Sequence, residues 1–367
     1  MATARRPIEL EDFYRFVTAS DAQLSPDGVR VAYVLTRIDR DADETRSAIW
    51  VVPFEGGDAV QFTAGTKTDS APRWSPDGRW LAFLSNRDGK PQLYVMSTSG
   101  GEPRQLTKLE DGAGPAVWSP DSRRIAFAAQ VQWDEPPKET KERERWAQRP
   151  REVKELRFKA DGAGFVADRR SQLFVVDLDG DEPHRLLESE FQDRDPAWSP
   201  DGTAIAFISA RHEGRELSNL ADLWIMPVDN PEPQPRAIAR LAGMAAPSFS
   251  PDGRAVAVYA TGETDRVFDV PHHVWLAPVA GDAPARDLMP DFDRGAVAGG
   301  PAGPATRPAW IDGGRRLLFS AADSGDTNLY TVDAATGAVA PVVVRERTIM
   351  NWSAAETAGR ACFVFSD

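Results

Sequence analysis

Short runs with an apolar residue on each side of an alanine recur along the chain, each a few residues after a polar turn. They are Val31-Ala32-Tyr33, Leu81-Ala82-Phe83, Ile125-Ala126-Phe127, Ile205-Ala206-Phe207 and Val256-Ala257-Val258, with Leu317-Leu318-Phe319 as a bulkier copy. Runs this short, rich in branched and aromatic residues and bounded by turn residues, predict strands rather than helices. The small central residue suits close approach between layers. A second apolar run follows each, carrying a recurrent aromatic: Trp50, Tyr94, Phe174, Trp224, Trp275, Tyr330. In Leu93-Tyr94-Val95-Met96 and Leu223-Trp224-Ile225-Met226 the apolar positions do not alternate, so both faces of these strands are expected to be covered. A shorter strand closes several copies, as in Gln61-Phe62-Thr63 and Gln105-Leu106-Thr107.

The polar turns carry the same period. Ser-Pro-Asp-Gly occurs at Ser25–Gly28, Ser75–Gly78, Ser199–Gly202 and Ser250–Gly253, and Ser119–Ser122 ends in Ser instead of Gly. Weaker copies begin at Ile311 and Ser353. An apolar residue precedes each: Leu24, Trp74, Trp118, Trp198, Phe249, Trp310, Trp352. Proline fixes φ, aspartate bonds its own backbone and glycine takes positive φ, which together make a tight turn between two strands. The starts at 25, 75, 119, 199, 250, 311 and 353 are separated by 50, 44, 80, 51, 61 and 42 residues. Most of these spacings are the length of a four-stranded blade, and the longest implies an insertion of roughly 35 residues. The expected fold is all-β: a seven-bladed β-propeller over residues 19–367, preceded by a helical segment over 1–18. The last blade is expected to be incomplete, because the chain ends at Phe363-Val364-Phe365-Ser366-Asp367, inside its second strand. An edge so apolar predicts a piece of a longer chain.

Two segments stand outside the repeat. The insertion, at about 131–170 between the second and third strands of blade three, is dense in both charges: Lys138, Glu139, Lys141, Glu142, Arg143, Glu144, Arg145. It reads as a solvated helix or loop, or as a lid, since loops joining second and third strands share a face with those joining blades. Ile8–Val17 places Ile8, Phe13, Phe16 and Val17 near one helical face, with Glu9, Glu11 and Asp12 in the first turns. It reads as a cap on the propeller or a dock for another domain. Pro231–Pro235 and Gly299–Pro308 read as loops.

The repeated W-S-P-D-G-x-x-[IL]-A-F, followed by L-[YWF]-V-M and P-R-Q-L-T, resembles the propeller of bacterial prolyl oligopeptidase-family serine peptidases. The acylaminoacyl-peptidase and dipeptidyl-aminopeptidase branch is the most similar. Arg5–Ser25, with Leu10-Glu11-Asp12-Phe13 leading to Ser20-Asp21-Ala22-Gln23-Leu24, is similar to that branch's N-terminus. Leu156–Phe165, running into Ser171–Asp177, is similar to its blade-three insertion. The resemblance implies a C-terminal α/β-hydrolase domain with a Ser-Asp-His triad, which this chain ends before reaching, so the chain alone is expected to be inactive. It further implies a propeller that caps the active site, admits short peptides and excludes folded proteins.

Chemistry within the chain is sparse. No G-x-S-x-G elbow, H-E-x-x-H, P-loop or dinucleotide fingerprint occurs, so no catalytic residue is named. The single cysteine, Cys362, excludes an intrachain disulfide and a cysteine-based zinc site. His272 and His273 are adjacent and would point to opposite faces of a strand, which argues against a metal pair. No cofactor or metal is expected. Glu188, Glu190, Asp193 and Asp195 crowd one loop, either as a solvated acidic loop or as a binder of a substrate amine. The candidate substrate-facing residues are Arg157, Arg169, Arg170, Glu190 and Asp193. With 43 Lys and Arg against 56 Asp and Glu, the net charge of −13 repels nucleic acid. No apolar h-region opens the chain and no membrane-length apolar run occurs, so the reading is cytoplasmic with no membrane partner. The expected partners are the hydrolase domain and short peptides, with a homo-oligomer left open. The alternative is a TolB-like propeller serving as a protein-binding scaffold; a propeller lyase or glycosidase is disfavoured by the scarcity of histidines.

Overall fold

The computed structural model describes residues 6–133, 139–150, 153, 155–161, 164–180, 182–230, 232–262, 270–297, 306–344 and 348–366. The protein is all-β, built from antiparallel sheet units that follow one another along the chain. The first unit holds Val17–Leu24, Arg30–Asp39, Glu44–Pro53 and Val60–Gln61; the second holds Asp69–Trp74, Trp80–Ser85, Gln92–Ser97 and Arg104–Gln105. In the third, Val117–Trp118 and Arg124–Gln132 pair in order with Arg169–Asp177 and His184–Arg185. The fourth and fifth units share one long strand, Arg236–Phe249, which ends one unit and begins the next. It crosses over at register shifts around Gly243, whose φ of 61° a glycine adopts without strain. The sixth unit, Ala309–Ile311 to Val339–Val343, is joined by a single parallel bridge, Thr327 to Thr348, to a final hairpin of Thr348–Ala355 and Arg360–Ser366.

The predicted aromatic columns meet across the second and third strands. Phe83 pairs with Tyr94, Phe127 with Phe174, Phe207 with Trp224 and Phe319 with Tyr330. Three of these pairs stack, with ring centroids 5.6–6.0 Å apart. The core lies between consecutive units. Ala82, Leu93 and Val95 of the second pack with Trp118, Ile125 and Phe127 of the third, and Leu173 and Val175 of the third with Trp198, Ile205 and Phe207 of the fourth. Both faces of a central strand are thereby covered, as its unbroken apolar run requires.

The tryptophan before each turn also bonds to the unit before it. The indole N–H of Trp74 donates to Gln23 O, Trp118 to Arg73 O, Trp198 to Val117 O and Trp310 to Ser248 O, all at 3.0–3.1 Å. Phe249 has no N–H to offer, and Trp352 donates to Ser320 Oγ. The final hairpin lies beside the first unit: Ser353 Oγ accepts from Leu24 N at 2.7 Å, and Arg360 donates to Gly28 O at 3.1 Å.

The N-terminal expectation needs correcting. In place of a helix over Ile8–Val17 there is a 3-10 turn at Leu10–Arg15, and Val17 already opens the first strand, paired with Arg37. Pairing extended backbone there satisfies N–H and C=O groups that a short surface helix would leave to water. Ile8, Leu10, Phe13, Phe16 and Val17 are exposed. The insertion occupies 133–168, since Gln132 still pairs with Arg169. It contains a helix, Thr140–Ala147, and a small hairpin of Lys159–Ala160 and Gly164–Phe165. Lys138, Gly162, Ala163, Pro231, most of the Gly299–Pro308 loop and Asp367 lie outside the described residues.

Candidate functional site

In a four-stranded antiparallel unit, the turn joining strands one and two lies at the end opposite the loop joining two and three. The Ser-Pro-Asp-Gly turns therefore share one face, and the insertion, the 210–219 loop and the links between units share the other. On that second face the insertion leans on the fourth unit. Glu216 accepts from Leu156 N at 2.8 Å, and Arg157 donates to Ser218 O at 3.0 Å and to Asn219 Oδ1 at 3.3 Å. Leu156, Phe158, Phe165 and Leu217 remain exposed around this contact.

The five candidate residues separate into two groups. Arg157 and Glu190 are exposed, and Arg169 is partly exposed, 3.5 Å from Asp111. Arg170 is only 7% exposed; it donates to Glu190 O, Ala167 O and Arg169 O and reaches Glu155 at 2.6 Å, so its guanidinium ties the root of the insertion together. Asp193 is 1% exposed and accepts from Arg211 on both oxygens, at 2.8 and 3.0 Å. Arg211 also donates to Ser209 and lies over Phe207 and Trp224. The second unit repeats this arrangement: Arg87 donates to Asp69 and Ser85 and lies over Phe83 and Tyr94. Arg170 and Asp193 thus spend their charges inside the scaffold. The sequence signal for Asp193 was its offset, six residues before Ser199, matched by Asp69 before Ser75.

The acidic loop does not converge on one point. Asp193 is paired as described, Asp195 pairs with Arg194 at 2.7 Å, and Glu188 lies 3.8 Å from Arg185. His273 bonds Asp287 at 2.8 Å and Phe292 O at 3.1 Å. His272 is partly buried, and burial lowers its pKa. Among the described residues no group of three or more His, Cys, Asp and Glu is placed to hold a metal ion.

A feature that sequence reading passed over lies where the innermost strands face one another. A cavity of about 550 Å³ is lined from the first unit to the final hairpin, including Gln23, Arg73, Asp195, Ala246, Arg307 and Asn351. Four of its strands carry a bulge with one residue in the left-handed region: Asp21, Ala71, Asp195 and Ala246, at φ 48–57°. Such bulges re-aim neighbouring groups. The carbonyls of Pro196 and Pro247 accept from Arg307 at 2.6 and 2.8 Å, and that of Pro72 from Arg73 at 2.6 Å. Burial pulls the Arg307 pKa down to about 10, with Asp195 opposing and Arg73 adding to the shift. The signal was the proline two residues before each aromatic, in Ala71-Pro72-Arg73-Trp74, Asp195-Pro196-Ala197-Trp198 and Arg307-Pro308-Ala309-Trp310.

Residues 44–143 match the Tricorn protease N-terminal beta propeller domain. The Bacillus subtilis uncharacterized peptidase YuxL is 31% identical over 223 residues, which is 60% of this chain and 34% of that protein. In sequence the chain is similar to a peptidase, and part of it to a protease's β-propeller domain. Porphyromonas gingivalis dipeptidyl-peptidase 5 is 24% identical over 357 residues, covering 94% of this chain and 50% of that protein. Pyrococcus horikoshii acylaminoacyl peptidase superposes with a TM-score of 0.69 at 18% identity, over 93% of this chain and 48% of that chain, which is a likeness of fold. The chain thus spans a third to a half of the length of the curated relatives it matches. No helix among the described residues is long and apolar enough to cross a membrane.

Proposed function

We propose that this chain is the non-catalytic propeller portion of a serine peptidase that hydrolyses short peptides, of acylaminoacyl- or dipeptidyl-peptidase type. The observation that carries this is the 31% identity to a peptidase over 223 residues. On this reading the repeats make a seven-bladed ring. Its central cavity and the insertion face stand before a C-terminal hydrolase domain that supplies the Ser-Asp-His triad. Arg157, Arg169 and Glu190 keep exposed surface on the insertion side and are the candidates for touching substrate. A central opening of a few hundred Å³ admits an extended peptide and excludes a folded domain.

The test is labelling and digestion of the whole protein with a fluorophosphonate. The label is expected on a serine beyond residue 367 and on none within it, with blocked di- and tripeptides cleaved and folded proteins left intact. Label on a serine inside this chain, or no label and no cleavage at all, overturns the reading in favour of a TolB-like scaffold.

A further inference from the structure

Three charged side chains line the central cavity: Arg73, Asp195 and Arg307. Two have an ion-pair partner at the wall. Arg73 contacts both oxygens of Asp21 at 3.0 and 3.1 Å, and Asp195 pairs with Arg194 at 2.7 Å. Among the described residues Arg307 forms no ion pair within 4 Å, and Asp195 acts on it only at longer range. Its Nη1 and Nη2 each give one N–H to a backbone carbonyl, leaving Nε–H and two further N–H groups unspent. Beside it, Thr306 receives a long bond of 3.5 Å from the amide nitrogen of Asn351. Asn351 is 4% exposed and lines the same cavity. A guanidinium in such a site retains a full positive charge in reduced dielectric, and its planar fork of donors fits a carboxylate.

We propose that Arg307 makes the central cavity a binding site for a carboxylate, held by its free N–H groups beside Thr306 and Asn351. The carboxylate belongs either to a small free acid or to the C-terminus of a peptide passing through the cavity. Asp195, next to the Pro196 carbonyl that Arg307 bonds, lines the same cavity, so its negative charge opposes such an anion. The site's occupancy is measured whether or not the protein cleaves peptides.

The experiment is calorimetric titration of the whole protein at fixed ionic strength. The probes are acetate, an N-acetylated dipeptide with a free C-terminus, and the same dipeptide amidated. Acetate or the free-acid dipeptide is expected to bind, and the amide at least tenfold more weakly. Acetate binding alone assigns a small free acid, and tighter binding of the dipeptide assigns a chain end. Arg307→Gln is expected to weaken binding at least tenfold. Asp195→Asn, which keeps a residue tolerant of positive φ, is expected to tighten it several-fold. The proposal is overturned if neither carboxylate binds, if the amide binds equally, or if binding is unchanged in either variant. Should Arg307→Gln fail to fold, unchanged affinity in Asp195→Asn decides against it.

Discussion

The serine of each Ser-Pro-Asp-Gly turn does more than start it. Ser199 Oγ donates to Asp201 Oδ1 at 2.6 Å and accepts from Ala204 N at 2.9 Å, closing the turn onto the next strand. The same pair of bonds recurs at Ser25, Ser75, Ser119 and Ser250, all buried. Bonding to the serine hydroxyl is the largest cause holding Asp27, Asp121, Asp201 and Asp252 below the usual carboxylate pKa. A carboxylate with a depressed folded pKa stabilises above its unfolded value, about 3.9, and loses that contribution as pH falls through the folded value. Ser199→Ala is therefore expected to cost about 1–3 kcal/mol at pH 7, leaving a buried N–H unpaired. Part of the difference from wild type should close at acid pH, once the pH has fallen through the depressed folded pKa of Asp201 and the carboxyl is protonated in both. Urea midpoints at the two pH values check this; an equal gap at both would remove the charge from the account.

At the scale of elements, an aromatic on the second strand faces an aromatic on the third, and the next unit closes over them. Burial is uneven within the third-strand column. Tyr94, Phe174 and Tyr330 are buried, whereas Trp50, Trp224 and Trp275 stay half-buried because their larger rings reach the unit's margin. The second-strand column is the deeper one, with Phe83, Phe127, Phe207 and Phe319 fully covered. Phe207→Ala is expected to cost about 3–5 kcal/mol, the range for emptying a large buried site. Lys141→Ala, on the exposed helix of the insertion, should stay within about 0.5 kcal/mol. Similar losses for both in chemical denaturation would mean that the strand register is wrong.

Over the whole molecule, the first unit and the final hairpin meet without sharing a sheet. A Cβ at Gly28 would come 2.4 Å from Ala358 Cβ, whereas one at Gly78 would meet nothing within 4 Å. The two glycines have nearly the same φ, 72° and 69°, so the backbone cost of an alanine, about 1–2 kcal/mol, is common to both. Gly28→Ala is expected to exceed Gly78→Ala by at least about 1 kcal/mol, read as a difference in thermal midpoint, because the hairpin must give way. Equal losses would mean that the ends of the chain do not touch in solution.

What the chain determined by itself is what repeats locally. Turn chemistry and the apolar–alanine–apolar strands depend on neighbours in sequence, and each appeared at the expected residues. What only the tertiary structure decided involves partners 18 to 111 residues apart. Ile8–Val17 has a helical pattern, yet Val17 pairs with Arg37 because a strand partner satisfies its backbone and a lone short helix does not. Asp193 looked available until Arg211 arrived from 18 residues downstream to neutralise it. Arg307 looked ordinary because its environment is assembled from Pro196 and Pro247, which only the fold brings together. Whether a charge is spent or free depends on what folding places within about 4 Å of it, and one-dimensional spacing does not encode that distance.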